Sequence, residues 1–370
     1  MKGVDIFDIE ELVLQFKYEG YFTQSKICGS GHINDTFEVT CIKDNGKPIR
    51  YILQRINTNI FKSPEELMEN IFNVTTYLKE KIIAAGGNPE RETLSLIDTI
   101  NGKTFYVSAS GDYWRSYAFI EGAKTYQLVQ NSKHFYNAGK ALGSFEQLLA
   151  DFPAEKLHET IPDFHNTRKR YETFLDALSN DVMHRAKYVQ KEIEFAMSRG
   201  DETYILMNLL KEGKLPLRVT HNDTKFNNIL IDDETGEGIC IIDLDTIMQG
   251  LSIDDFGDSI RSGANPADED EKDLSKVCMD LDLYEHFTRG FLDGVNHSLT
   301  KTELEYMPFA AKIITFECGI RFLTDHLNGD TYFSIHRENH NLDRARTQFK
   351  MVTDMEEKFD KMKAIVEKYS

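Results

Sequence analysis

Three short apolar runs between residues 217 and 243 constrain this chain more than any other feature. Leu217–Thr220, Ile229–Ile231 and Ile239–Ile242 are rich in β-branched residues and too short for helices, so they read as strands. The first two flank the polar tract His221-Asn222-Asp223-Thr224-Lys225-Phe226-Asn227-Asn228. Asp223 follows the histidine by two positions, and Asn228 follows Asp223 by five. The third run ends in Asp243, fifteen residues beyond Asn228. A tight loop between strands presents Asp223 and Asn228 to one place, with a second acid at a nearby strand end.

That spacing suits phosphoryl transfer, which needs a carboxylate to orient the acceptor hydroxyl and a divalent cation to neutralise the phosphate oxygens. Asp223 is the candidate base. Asn228 and Asp243 are the candidate Mg²⁺ ligands, because that ion takes few hard oxygen donors from protein and shares the rest with phosphates and water. Lys225 can reach a γ-phosphate as a mobile point charge. The bland alternative is a surface loop in which Asn and Asp support turns. The added Lys225, Asn228 and Asp243 at these distances outweigh it. Asp255-Phe256-Gly257 spells the metal motif of protein kinases, but it lies 32 residues after Asp223 and no apolar strand precedes it. Asp255 and Asp258 are expected to cap or brace the start of a helix instead.

The patterning predicts an α+β chain in two lobes. Residues 5–18 carry apolar positions at helical spacing, and β character follows, with a Gly29-Ser30-Gly31 turn able to approach phosphate and a strand over Arg50–Ile56. Ser63-Pro64-Glu65-Glu66 opens a helix that Gly86-Gly87 stops. Strands are expected at Thr93–Ile97, Thr104–Val107 and Trp114–Ile120, with a hinge at Glu121-Gly122. Beyond it the chain turns helical, over 132–149, 168–178, 185–198, 201–211, 270–296, 301–328 and 340–368. Residues 262–273, with five acids, read as a solvated loop. The expected division is 1–122, a nucleotide-binding lobe, and 123–370, a catalytic and substrate-binding lobe.

A net charge of −18 argues against nucleic-acid and anionic-membrane partners. The five cysteines form no C-x-x-C pair, the first sixteen residues lack a basic start and apolar core, and no run is long enough to span a bilayer. A soluble protein of the reducing cytoplasm is expected.

Taken together, these segments resemble the aminoglycoside phosphotransferase/choline kinase family, built on a protein-kinase-like fold. The spellings Thr220-His221-Asn222-Asp223-Thr224-Lys225 and Ile242-Asp243-Leu244-Asp245-Thr246-Ile247-Met248 are similar to those of its bacterial N-acetylhexosamine 1-kinase branch. So are Gly31-His32-Ile33-Asn34, Trp114-Arg115-Ser116-Tyr117 and Glu317-Cys318-Gly319-Ile320-Arg321-Phe322-Leu323. The resemblance implies ATP-dependent phosphorylation of the anomeric hydroxyl of N-acetylglucosamine or N-acetylgalactosamine. It implies nucleotide contacts at Gly29, Gly31 and the backbone of Phe119, Ile120 and Glu121, and substrate contacts at His32, Asp223, Asp245, Arg321 and Tyr332. His32 could instead brace the glycine turn, Arg321 could form a helix salt bridge and Tyr332 could be a core aromatic.

Two departures stand out. Protein kinases place a lysine on the third strand, where this chain has Gln54. The α/β-phosphates are then held by backbone and metal, or by Arg55 through a bulge. Ser262 after Arg261 is small where the family places a bulky aromatic near the acetamido group. The alternatives are a kinase of another small hydroxylated acceptor (a different hexose, an amino alcohol or an aminoglycoside) and a non-catalytic pseudokinase.

Overall fold

A computed structural model describes residues 9–28 and 33–370. The chain separates into two compact units, Met1–Gly122 and Ala123–Ser370.

The first unit comprises α1 (Ile9–Val13), β1 (Tyr21–Ile27), β2 (Asp35–Ile42), β3 (Pro48–Arg55), α2 (Pro64–Ala84), α3 (Pro89–Glu92), β4 (Tyr106–Val107) and β5 (Tyr113–Ala118). The strands form one antiparallel sheet in the order β1-β2-β3-β5-β4. Period-two alternation puts Phe37, Val39, Cys41, Tyr51 and Leu53 in one core with Trp114 and with Leu12, Val13 and Phe16 from the α1 region. Thr36, Glu38, Arg50 and Gln54 therefore belong to the opposite face. Helix α2 follows its apolar stripe, with Leu67, Ile71, Val74, Leu78 and Ile82 buried, and Gly86 takes the left-handed conformation just past its end. Ser63 makes no side-chain cap bond; Pro64, preset for the first helical position, starts this helix. The strand expected at Thr93–Ile97 is reduced to a single bridge between Leu96 and Tyr117.

The second unit carries β6 (Ala123–Lys124), α4 (Ser132–Leu148), α5 (Thr167–Asn180), α6 (Gln190–Met197) and α7 (Ile205–Lys211) before the polar loop. The loop lies among β7 (Arg218–Thr220), β8 (Ile229–Asp232), β9 (Gly238–Ile241) and β10 (Met248–Gly250). After it come α8 (Ser252–Gly263), α9 (Leu281–Val295), α10 (Lys301–Leu327), α11 (His340–Glu357) and α12 (Phe359–Tyr369). β6, β8 and β9 form one sheet, and β7 pairs with β10, a strand the sequence patterning missed. The helix expected from residue 270 begins only at Leu281, where Asp280 caps it by accepting the N–H groups of Asp282 and Leu283.

Two close packings position the loop. Helices α4 and α9 meet through Gly139, Gly143, Gly290 and Gly294, where an added Cβ would overlap backbone of the facing helix. Phe256 on α8 is fully buried against Tyr284, Phe287 and Phe291 of α9. Gly257 lies against the Ala310 carbonyl of α10, 2.7 Å from where its Cβ would sit. The Asp-Phe-Gly spelling is thus a packing element of a helix. Among the described residues no helix is long and apolar enough to cross a membrane. All five cysteines are free thiols, of which Cys41 and Cys240 are buried and the others half-buried.

Candidate active site

The polar loop leaves β7 at Thr220 and reverses at Asn222, which adopts a left-handed conformation (φ 64°). Asparagine tolerates that region because its short side chain bonds locally, and here its Nδ2 donates to the carbonyls of Thr220 and Thr246. Asp255, in the first turn of α8, accepts the backbone N–H of His221 and of Asn222, one on each carboxylate oxygen and each at 2.7 Å. Burial pushes its pKa up to about 6, and the N–H bonds it accepts from His221 and Asn222 oppose the rise. Thr224 Oγ1 donates to the Asp255 carbonyl, and Ser259 Oγ donates to the Thr224 carbonyl. The expectation for Asp255 is therefore corrected: it lies at the start of a helix but does not cap it, and its carboxylate cradles the loop. Asp258 instead pairs with Arg261 at 2.8 Å. Burial raises its pKa, but Arg261, His165 and Lys225 outweigh that and hold it below the ordinary range.

His221 Nε2–H donates to the Ile242 carbonyl at 2.8 Å, and Nδ1 accepts the Asp223 N–H at 3.2 Å, which fixes one neutral tautomer. The Ile242 N–H donates to the Asn228 carbonyl at 2.9 Å. Ile242 thus ties Asp243, the next residue, to both ends of the loop. Asp243 is itself left-handed (φ 62°). The Asn228 amide donates to the Asp223 carbonyl at 2.8 Å and to its Oδ2 at 3.3 Å. This orientation leaves the Asn228 Oδ1 side of the amide for a cation. Lys225 Nζ is 3.0 Å from Asp223 Oδ1, and that charge raises the lysine's pKa. Asp245 is buried in the turn after Asp243, its carbonyl accepting from Thr160 at 3.0 Å. The fold thus gathers Asp223, Lys225 and Asn228 and fastens Asp243 to them.

Arg321, on α10, lies with its guanidinium carbon 5.2 Å from the Phe164 ring centre and 5.6 Å from that of Phe333. Tyr332 is 57% exposed, so it is not a core aromatic. Its N–H and those of Thr331 and Phe333 converge on the Asp325 carboxylate, which shapes the loop. Of the five acids expected to be solvated, Asp268, Glu269 and Asp273 are exposed; Glu269 pairs with Arg261 at 2.9 Å, Asp270 with Arg337 and His340 at 3.0 Å each, and Glu271 with Lys276 at 3.2 Å.

In the first unit, Gly29, Gly31 and His32 lie outside the described residues. Phe119 stacks under Arg50 at 3.7 Å and its N–H donates to the Arg50 carbonyl. Ile120 is buried, and the Glu121 carbonyl accepts from Arg91 at 3.1 Å. The register of β2 with β3 runs unbroken from Asp35–Arg55 to Ile42–Pro48. Arg55 has no bulge to bring it round and pairs with Asp35 at 2.6 Å and Asp112 at 3.2 Å. Across from Gln54 on β5 stands Arg115, fully buried, its Nε donating to Gln54 Oε1 at 3.0 Å. The sequence reading missed this cation because only strand pairing sets it beside Gln54.

Residues 25–275 match the family model described as the phosphotransferase enzyme family. Among solved structures, an amicoumacin kinase in complex with AMP-PNP, Ca²⁺ and its substrate aligns over 96% of this chain and 94% of its own, at 15% identity and a TM-score of 0.63. A microcompartment-associated aminopropanol kinase aligns over 97% and 98%, at 11% identity and 0.59. A spectinomycin phosphotransferase in complex with ADP and spectinomycin aligns over 97% and 96%, at 14% identity and 0.55. At these identities the likeness is one of fold, the two-lobed kinase type. The family match covers well over half the sequence, and the chain belongs to the phosphotransferase enzyme family.

Proposed function

We propose that this phosphotransferase uses ATP and a divalent cation to phosphorylate an N-acetylhexosamine at its anomeric hydroxyl. One observation carries the choice of a neutral acceptor over an amino alcohol or aminoglycoside. An ammonium acceptor needs free carboxylates, and the acids of 269–271 that could supply them are bound to Arg261, Arg337, His340 and Lys276. Arg321 is instead within electrostatic reach of Arg170, Arg261 and the Tyr332 hydroxyl. Such donors suit hydroxyl and amide oxygens. The spelling of the loop and of Ile242–Met248 supports the same reading.

In this assignment Asp223 aligns the anomeric hydroxyl and takes its proton as the oxygen attacks the γ-phosphorus and the bond to the β-phosphate oxygen breaks. Sugar 1-phosphate and ADP leave. The adjacent Lys225 and Asn228 hold the Asp223 carboxylate in place. An anomeric hydroxyl is more acidic than a simple alcohol, so orientation and late proton acceptance suffice. Lys225 is assigned to the γ-phosphate. Asn228 and Asp243 would hold the cation, which when bound neutralises charge on the phosphate oxygens. Asp245, Arg321, Tyr332 and His32 are assigned to the sugar. Gly29, Gly31 and the backbone of Phe119–Glu121 are assigned to the nucleotide.

Phosphorus NMR of reactions with ATP, Mg²⁺ and separately N-acetylglucosamine, N-acetylgalactosamine, ethanolamine and spectinomycin tests this. The expected product is an anomeric sugar phosphate. Turnover of an amine-bearing acceptor with none of either N-acetylhexosamine would overturn the reading.

A further inference from the structure

His165 lies 57 residues before Asn222 in sequence and precedes α5, yet its Nε2 is 2.9 Å from the Asn222 carbonyl and its Nδ1 is 2.9 Å from Glu317 Oε1. A backbone carbonyl only accepts. The Glu317 carboxylate, 1% exposed, also accepts from Thr167 Oγ1 at 2.6 Å. Both ring nitrogens therefore face acceptors, and a doubly protonated imidazolium satisfies the pair. Burial alone lowers the pKa of His165, but the Glu317 charge outweighs it and raises it to about 9. Burial would raise that of Glu317, but His165 and Arg321 hold it below the ordinary carboxylate range.

The bond reaches a particular peptide. The carbonyl of Asn222 and the N–H of Asp223 belong to one peptide group, whose N–H already donates to His221 Nδ1. This peptide is clamped from both sides, by His165 on its oxygen and His221 on its nitrogen. It follows the left-handed residue Asn222 and sets the direction in which Asp223 leaves the loop. Glu317 is one helical turn before Arg321 on α10, and Phe164, next to His165, is one of the rings against Arg321.

We propose that His165 is a positioning residue, an imidazolium strut that joins the peptide carrying Asp223 to the α10 segment carrying Glu317 and Arg321. It orients the base and registers it against the acceptor-binding arginine without touching the reacting atoms. The inference rests on the kinase reading above. The groups facing His165 are Glu317 from α10 and Asp254 and Asp258 from α8, while Asp255 of α8 lies within its field.

Two measurements test it, one of them independent of the substrate. In uniformly ¹⁵N-labelled protein, His165, identified by loss of its signals in H165Q, should show both ring nitrogens protonated at pH 7 and lose a proton only toward pH 9. A neutral ring at pH 7 would overturn the strut whatever the acceptor. In steady-state assays of ADP release with Mg²⁺–ATP and the acceptor identified by phosphorus NMR, H165A should lower kcat about 10- to 100-fold, the scale of a misplaced catalytic group, with KM for ATP unchanged. H165Q keeps a neutral donor for the Asn222 carbonyl and should recover part of the loss. It should also lack the fall in kcat near pH 9 that is expected of the wild type. Unchanged kcat in folded H165A would equally overturn the proposal. A different acceptor in the NMR panel would overturn the sugar assignment and leave the strut standing.

Discussion

Asp255 holds the backbone N–H groups of His221 and Asn222 on its two carboxylate oxygens, 2.7 Å from each. A helix side chain thereby fixes the Thr220–His221 and His221–Asn222 peptides that lead into the loop before Asp223. Asp255→Asn replaces one acceptor by an amide that faces a donor. It should cost about 1–3 kcal/mol of stability, the scale of a buried unsatisfied group. The distorted loop should lose kcat on the order of a hundredfold. Asp243→Asn should instead raise the Mg²⁺ concentration needed for half-maximal rate. Titrations of both variants separate the roles, and a shift in Mg²⁺ demand confined to D255N would reverse them.

Asp223→Asn should lower kcat by about 10²- to 10⁴-fold, the range for losing a positioned base. Nucleotide affinity, measured by calorimetry with the non-hydrolysable analogue AMP-PNP, should persist. Full activity in D223N would remove Asp223 from the chemistry.

Asp254 sits at the start of α8, 2% exposed, and burial pushes its pKa up to about 8, with His165 opposing and Glu317 and Asp255 adding to the rise. It is held protonated at neutral pH, whereas the unfolded chain ionises it near pH 4. Its folded value is the raised one, so its contribution to stability is complete below pH 4 and is lost as pH rises to 8. Asp254→Asn removes that dependence. D254N should match the wild type near pH 4 in urea unfolding and exceed it by a few kcal/mol, about 1.4 per unit of pH, toward pH 7. A constant difference across this range would contradict the assignment.

The α4–α9 contact depends on absent side chains. A Cβ at Gly290 would overlap the Tyr136 carbonyl oxygen, and backbone cannot swing aside as a side-chain tip does. Gly290→Ala should destabilise by about 1–3 kcal/mol through overpacking, despite alanine's better helix propensity. Thermal unfolding checks it, and a gain in Tm would show that the helices separate easily.

Local spacing made much of the second unit legible. Apolar periodicity marked α4, α5 and α10 to within a few residues, because a helix buries positions three and four apart along the chain. It did not mark the interruption at Lys358 between α11 and α12, nor β10, three residues defined by pairing with β7. Among the acids of 262–273, Asp268, Glu269 and Asp273 are exposed as expected, whereas Asp270 finds partners, Arg337 and His340, some seventy residues away that no local pattern shows.

The sequence by itself determined the family, the α+β class and the grouping of Asp223, Lys225 and Asn228, all of which follow from residues a few positions apart. Only the tertiary structure decided what aims them. Asp255 is 33 residues from Asn222, His165 is 57 from it and 152 from Glu317. Arg115 meets Gln54 across 61 residues through strand register. A short loop can carry the reacting groups in its spelling. Its backbone donors and acceptors must be satisfied by whatever the fold packs against it, and that depends on helix packing and strand pairing that no local pattern encodes.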